Sequence, residues 1–147
     1  MAALTLDQAN RIAAAALTKG RELGLKPLCV AVLDTGGHLV ALQREDGASL
    51  LRPLIAIGKA AGALGLGVSS RKIAEMAVER PTFIASLASL GGHGLVPAAG
   101  GVLAVDDNGL IGAVGVTGDT SDNDEICALA GLAAAGAEPR NDRPPDP

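Results

Sequence analysis

The chain has 147 residues, the length of a single domain that can bury a substantial core. Hydrophobic residues make up 48% of it and charged residues 19%, a balance that excludes a disordered chain. The net charge of −4 includes no basic stripe and Phe83 is the single aromatic residue, so we expect no nucleic-acid binding.

The predicted elements begin with a helix and a β-hairpin. Thr5 and Gln8 have the spacing of a capping box, and the apolar residues after them recur at helical intervals. They predict a helix from about Leu6 to Leu23. The apolar run Leu28–Leu33, a turn at residues 34–37 and the run Leu39–Arg44 then predict two paired strands.

Helices follow this hairpin. Leu50–Leu64 has few polar residues and ends among the glycines Gly62, Gly65 and Gly67, whose spacing indicates close packing or a turn rather than a phosphate loop. A serine at position 69 or 70 caps a helix that runs to Glu79. A further short helix is predicted over residues 82–90.

A second hairpin and a last helix complete the predicted domain. Gly101–Val105 and Leu110–Val116 flank a turn that contains an Asn-Gly pair. Ser121 is the predicted cap of a helix that runs to about Ala135. Several acidic residues crowd its N-terminus, satisfy the helix dipole and would repel a phosphate; they are Asp119, Asp122, Asp124 and Glu125.

This order of elements predicts the fold class. Two hairpins require antiparallel pairing, which excludes a doubly wound dinucleotide-binding fold. We therefore expect an α/β (α+β) domain over residues 1–137, with about five mostly antiparallel strands and helices packed on the faces of the sheet. Residues 138–147 are rich in Pro and charge and are predicted to form a flexible tail.

The composition also bears on assembly and location. Small residues, including 20 glycines, allow close approach of helix and sheet but bury little area each, so we expect copies of the chain to associate. Cys29 and Cys127 lie in apolar runs, which favours buried free thiols in a reducing, cytoplasmic compartment. No segment has the pattern of a signal peptide or a membrane span.

The residues that could carry chemistry are few. His38 follows a tight turn, where a surface imidazole is the ordinary interpretation, whereas His93 lies among glycines that would let a ligand approach the backbone. Met76 is expected in the core. Arg44, Arg52 and Lys59 could converge on a carboxylate or a propionate; their alternative is an ordinary solvated face.

Lys59 is the most unusual charge, because small apolar residues flank it on both sides. Such a lysine either extends its ammonium to solvent or pairs with a carboxylate. The sequence leaves open whether its role is functional or structural.

Several ordered blocks resemble the GlcG/HbpS-type family, which includes the C-terminal domain of PduO-type corrinoid adenosyltransferases. LCVAVLDTGGHLVALQREDG at residues 28–47 resembles its first hairpin, and IAIGKA at 55–60 resembles a helix carrying a Lys-Ala step. GLIGAVGVTG at 109–118 resembles its second hairpin, and DNDE at 122–125 its closing helix. The resemblance covers nearly all of residues 4–137.

This resemblance implies a small homo-oligomeric protein, such as an octamer, that binds heme and is associated with small-molecule catabolism. Heme iron takes His, Cys, Met or Tyr ligands, and the chain has no Tyr. His93 is the preferred candidate, and Arg44, Arg52 or Lys59 would meet the propionates. No other metal site is expected, because the two histidines have no partners at ligand spacing.

The sequence leaves two alternatives to heme binding open. The chain could be a cofactor-independent isomerase, hydratase or hydrolase of a small carboxylate or carbonyl metabolite. Arg44 or Lys59 would then hold the substrate acid, and Asp46 or His93 would move a proton. Alternatively, the chain could be a structural or regulatory partner of a catabolic enzyme, with residues 119–125 as a contact surface.

Overall fold

The structure is a computed structural model, and it describes residues 3–140 and 142. Helices and strands alternate in groups along this part of the chain. In chain order they are α1 (Leu6–Glu22), β1 (Cys29–Asp34), β2 (Leu39–Arg44), α2 (Arg52–Leu66), α3 (Ser70–Glu79), α4 (Pro81–Leu87), β3 (Gly101–Asp106), β4 (Gly109–Thr117), α5 (Ser121–Ala134) and β5 (Glu138–Pro139).

The strands form one five-stranded sheet in the order β2-β1-β4-β3-β5, and each pairing between neighbours is antiparallel. The two hairpins, β1–β2 and β3–β4, lie side by side because β1 also pairs with β4. The predicted α+β fold with about five strands is therefore confirmed. The central strands β1 and β4 are buried, whereas β2 has exposed residues along its length.

Helices cover both faces of this sheet. On one face, α1 and α5 pack together and enclose the main core, which includes Ile12, Val30, Val114 and Leu132. On the other face, α2 crosses the central strands over a smaller set of apolar residues that includes Leu33 and Leu103. The domain thus has three layers, and α3 and α4 continue from the end of α2.

Glycines bring the α2 layer unusually close to the sheet. A Cβ atom on Gly115 would collide with the carbonyl oxygen of Ala56, and one on Gly101 would collide with that of Lys59. Both glycines lie in strands and face the backbone of α2 directly. The composition predicted a close approach of helix and sheet, and α2 lies this close to β3 and β4.

Most element ends agree with the sequence within two residues. The Thr5 capping box is present, and Ser69 caps α3 through the N–H of Lys72. The cap of α5 is Thr120 rather than the predicted Ser121, since the Thr120 hydroxyl accepts from the backbone of Asn123. The chain ends α2 at Gly67, whose φ of +72° is the left-handed conformation that glycine adopts readily.

The sheet extends into the segment that was predicted as a tail. Glu138 and Pro139 pair with Val105 and Ala104. The backbone N–H of Arg140 donates to the Leu103 carbonyl at 2.9 Å. These bonds cover the free edge of β3, and an open edge would otherwise recruit another strand. Residues 141 and 143–147 of the predicted tail lie outside the described residues.

In the part of the chain that the structure describes, no single helix is long and apolar enough to cross a membrane. Only α2 and α3 taken together meet the length and composition criteria, and they are bent by 77° with respect to each other.

Candidate functional site

A cavity of about 610 Å³ opens where three segments of the chain meet. Its lining residues fall within 35–38 in the β1–β2 turn, 61–66 in the second half of α2, and 87–95, from the last residue of α4 onward. The volume is in the range of about 300–1,000 Å³ that is usual for sites that bind small molecules.

Both histidines of the chain line this one cavity. His38 comes from the turn of the first hairpin, and His93 comes from the glycine-rich segment that leads to β3. His38 is largely exposed, as the sequence indicated, but it also forms part of the cavity. The fold therefore brings together two imidazoles that are 55 positions apart in the chain.

The walls of the cavity are largely apolar. Its leucines are Leu64, Leu66, Leu87, Leu90 and Leu95, and no lysine, arginine or acidic residue is among its described lining residues. Gly62 lets the 90–95 segment lie directly on α2, because a Cβ there would be 3.1 Å from Cγ of Leu95. The cavity thus offers leucine contacts and two imidazole rings to a ligand.

A carboxylate adjoins one of these histidines. Asp34 Oδ1 accepts hydrogen bonds from the backbone N–H groups of Gly36 and His38, each at 2.9 Å, and lies 3.3 Å from His38 Nδ1. The hydrogen bond from the His38 backbone is the main reason that the pKa of Asp34 lies below its ordinary value. Asp34 is therefore a fixed anion beside the imidazole.

Lys59 forms a buried ion pair instead of facing a cavity. Its Nζ donates to Asp124 Oδ2 at 3.0 Å and to the Val116 carbonyl at 2.9 Å, and both charged side chains are nearly inaccessible. Burial lowers the pKa of Lys59, while the Asp124 carboxylate acts in the opposite direction. Of the two alternatives that the sequence left open, pairing with a carboxylate is the one observed.

The other predicted cations also lie away from the histidine cavity. Arg52 donates to the hydroxyl of Thr117 at 2.8 Å and lines neither described cavity. Arg44 and Asp46 line a second cavity of about 360 Å³ together with Arg21. Within a single chain, the structure therefore does not unite the predicted site residues in one cavity.

The remaining candidate iron ligands do not line the cavity either. Cys29 and Cys127 are free and buried, as predicted, and burial raises the pKa of each thiol to about 11. A thiol with such a pKa is protonated at neutral pH and is a poor metal ligand. Met76, which was expected in the core, is half-buried on α3 and lines neither described cavity. Of the candidate iron ligands, the two histidines are thus those that line the cavity.

Sequence reasoning missed the roles of Asp34 and Asp124. Asp34 was interpreted only as part of a turn, and Asp124 only as one of several acids at a helix start. A signal for Asp124 did exist, because it heads the stripe of buried residues on α5 that continues through Cys127, Ala128, Gly131 and Leu132. No comparable spacing connects Asp34 to a cavity, since the cavity forms only in the folded chain.

The fold and the cavity together define a class: a small α+β domain with a central antiparallel sheet and an apolar, histidine-bearing cavity at one side. The family model described as "Haem degrading protein HbpS-like" matches residues 4–133. The chain belongs to this HbpS-like family, as the sequence blocks indicated. No curated protein matches the chain at a significant level of sequence similarity.

Solved structures share the fold. HbpS is 28% identical, with 90% of each chain covered and a TM-score of 0.78. The protein ORFY of Klebsiella pneumoniae is 26% identical, with 92% of this chain and 93% of that chain covered and a TM-score of 0.81. PduOC, solved as a heme complex, is 22% identical over 95% of this chain and all of its own, with a TM-score of 0.84, and this likeness concerns the fold alone.

Proposed function

We propose that the chain binds heme in the cavity formed by residues 35–38, 61–66 and 87–95, with His93 as the preferred iron ligand. The observation that carries this proposal is that both histidines of the chain line one leucine-walled cavity. Membership of a family described as heme-degrading supports it, as does the heme bound to PduOC, a protein of the same fold.

The donors present in the cavity fit this ligand. Imidazole is a common axial ligand of heme iron, and leucine side chains suit the apolar faces of a porphyrin. Among residues 3–140 and 142, no group of three or more His, Cys, Asp or Glu side chains could hold a bare metal ion. A bound heme would supply redox-active iron, while the chain would supply a nitrogen ligand and exclude water from the porphyrin faces.

The role expected for the predicted cations is not part of this proposal. Arg44, Arg52 and Lys59 do not line the cavity, and Lys59 is already neutralised by Asp124. The described lining of the cavity would therefore supply no cation to the propionates. Substituting one of these cations consequently gives a useful control.

Hemin titration tests the proposal. We expect a saturable shift of the Soret band for the wild type, and binding weakened roughly tenfold or more in His93→Ala, because the iron loses a nitrogen ligand. Arg44→Ala, which alters the second cavity, should bind within about twofold of the wild type. A wild type without a saturable shift contradicts the proposal. Arg44→Ala binding as weakly as His93→Ala would move the site to the second cavity.

We also propose that copies of the chain associate with one another through the start of α2. Leu50, Leu51 and Leu54 are exposed there, with Leu50 at 87% and Leu54 at 65% of their full accessibility. Clustered exposed leucines are typical of surfaces that a partner covers. The partner that we expect on this surface is a second copy of the chain. The small residues of the chain bury little area each, so association between copies would add burial.

Light scattering after size exclusion measures this association. We expect an oligomeric mass for the wild type and a shift toward the monomer for Leu50→Glu with Leu54→Glu, since each charge would be desolvated in the contact. Val78→Glu, at an equally exposed apolar position on α3, should keep the wild-type mass. A monomeric wild type would contradict this association.

The cytoplasmic location and the link to catabolism stay predictions.

A further inference from the structure

The turn of the first hairpin does more than connect two strands. We infer that Asp34 is a positioning residue that keeps the neutral His38 imidazole in its Nδ1–H tautomer, so that Nε2 is the nitrogen available to a ligand in the cavity. The inference rests on the proposed function only for the identity of that ligand as heme iron. The tautomer itself is a property of the protein without ligand.

The carboxylate of Asp34 has a fixed position. Asp34 Oδ1 is held by two backbone donors, Gly36 N–H and His38 N–H, both at 2.9 Å. The same oxygen lies 3.3 Å from His38 Nδ1. Because the oxygen is already anchored to the turn, the imidazole meets an acceptor at a defined place rather than a mobile side chain.

Gly36 leaves space for the imidazole ring of His38. A Cβ on Gly36 would lie 2.9 Å from both Cε1 and Nδ1 of His38, so the imidazole packs directly on this glycine. The backbone does not require glycine here, because the left-handed residue of the turn is Gly37, with φ of +80°. The absent side chain at position 36 therefore matters for the position of the ring.

A neutral imidazole has one N–H donor and one lone pair. A hydrogen bond at one nitrogen decides which nitrogen carries the proton. If the proton is on Nδ1, which faces Asp34 Oδ1 at 3.3 Å, the lone pair is on Nε2. A carboxylate in this position orients a ligating histidine and raises its basicity. His38 would then be a second nitrogen ligand for the iron beside His93.

The tautomer can be measured without heme. Long-range ¹H–¹⁵N spectra at about pH 8, above the usual titration range of histidine, distinguish the two tautomers of each ring. We expect the Nδ1–H form for His38 in the wild type and a shift toward the Nε2–H form in Asp34→Asn, because the uncharged amide oxygen is a weaker acceptor for Nδ1–H than the carboxylate. Asparagine can still accept the two backbone hydrogen bonds of the turn, so the fold should persist. An Nε2–H wild type, or a tautomer unchanged in Asp34→Asn, overturns the inference.

A second variant reaches the same contact without altering Asp34. In Gly36→Ala the new methyl group should displace the flexible imidazole rather than the backbone, and the His38 signals should shift toward the Nε2–H form. Val78→Ala is the control, because Val78 is exposed on α3 and does not line the cavity. If Gly36→Ala leaves the His38 tautomer as unaltered as Val78→Ala does, the role assigned to Gly36 and Asp34 is wrong.

Hemin titration of the same variants separates this inference from the proposed function. We expect Asp34→Asn to bind hemin roughly tenfold more weakly than the wild type, the effect usual for losing the carboxylate partner of a ligating histidine. If the wild type binds hemin and Asp34→Asn binds equally well, the inference fails and the proposed function stands. If the wild type binds no hemin but His38 has the Nδ1–H form, the proposed function fails and the positioning by Asp34 stands.

Discussion

Replacing Asp124 with alanine is expected to lower the free energy of unfolding by about 3–5 kcal/mol, the usual effect of removing one partner of a buried ion pair. Lys59 would keep its hydrogen bond to the Val116 carbonyl, but its charge would be buried without a counter-ion. Asp124 also accepts from the backbone N–H of Asp119, so the turn before α5 would lose an acceptor. Urea denaturation measures the change.

A neighbouring carboxylate on the same helix provides the control. Asp122 is paired with Arg71 but is mostly exposed, so Asp122→Ala should change stability by less than about 1 kcal/mol. The double variant Lys59→Met with Asp124→Leu should recover much of the loss, because two apolar side chains leave no buried charge. Equal effects of Asp124→Ala and Asp122→Ala would show that the buried pair does not stabilise the fold.

The stability of Asp124→Ala should also depend on pH in a defined direction. Burial lowers the pKa of Lys59 below its ordinary value of about 10.4, and the variant lacks the carboxylate that opposes this effect. Between the folded-state pKa and the ordinary one, the unfolded chain binds more protons than the folded chain. Stability therefore rises with pH in this window, and the deficit of the variant relative to the wild type should narrow there.

The second large effect is expected for Gly115→Ala, which should cost about 3 kcal/mol or more, at the upper end of overpacked cores. The new Cβ would collide with the Ala56 carbonyl oxygen and lie 3.1 Å from the backbone nitrogen of Ala60. Both atoms belong to the backbone of α2, so no side-chain rotation can relieve the contact. The helix would have to move away from the sheet.

Thermal denaturation measures this loss of stability. The control is a second Gly-to-Ala variant, at a glycine within α2. Gly65→Ala should leave stability unchanged or raised, since its Cβ meets nothing and alanine favours helices. A Gly115→Ala variant with the wild-type melting temperature would contradict the close α2–sheet packing that defines this layer.

Much of the fold could be predicted because its signals are local. Helix caps, two hairpin turns, short apolar runs and helical spacing are all local patterns, and they located every long element. The strand β5 could not be found this way. Glu138 and Pro139 have no strand pattern, and they pair only because β3 presents an open edge to them.

The site was harder to predict because its contacts are distant in sequence. Lys59 and Asp124 are 65 positions apart, and the apolar flanks of Lys59 indicated burial without naming its partner. His93 was selected for its glycine neighbours, whereas His38 was assigned to the surface. Only the packing of the 90–95 segment on α2, which Gly62 permits, gives the two histidines a common cavity.

The position of the bound porphyrin is the decisive test of heme binding in the histidine cavity. Gallium protoporphyrin IX is a diamagnetic analogue of hemin, so its addition to ¹⁵N-labelled protein maps the site through backbone chemical shifts. We expect the largest shifts within residues 35–38, 61–66 and 87–95, which contain the lining of the histidine cavity. Shifts concentrated instead around Arg21 and Arg44 in the second cavity, or spread evenly over the chain, would contradict it.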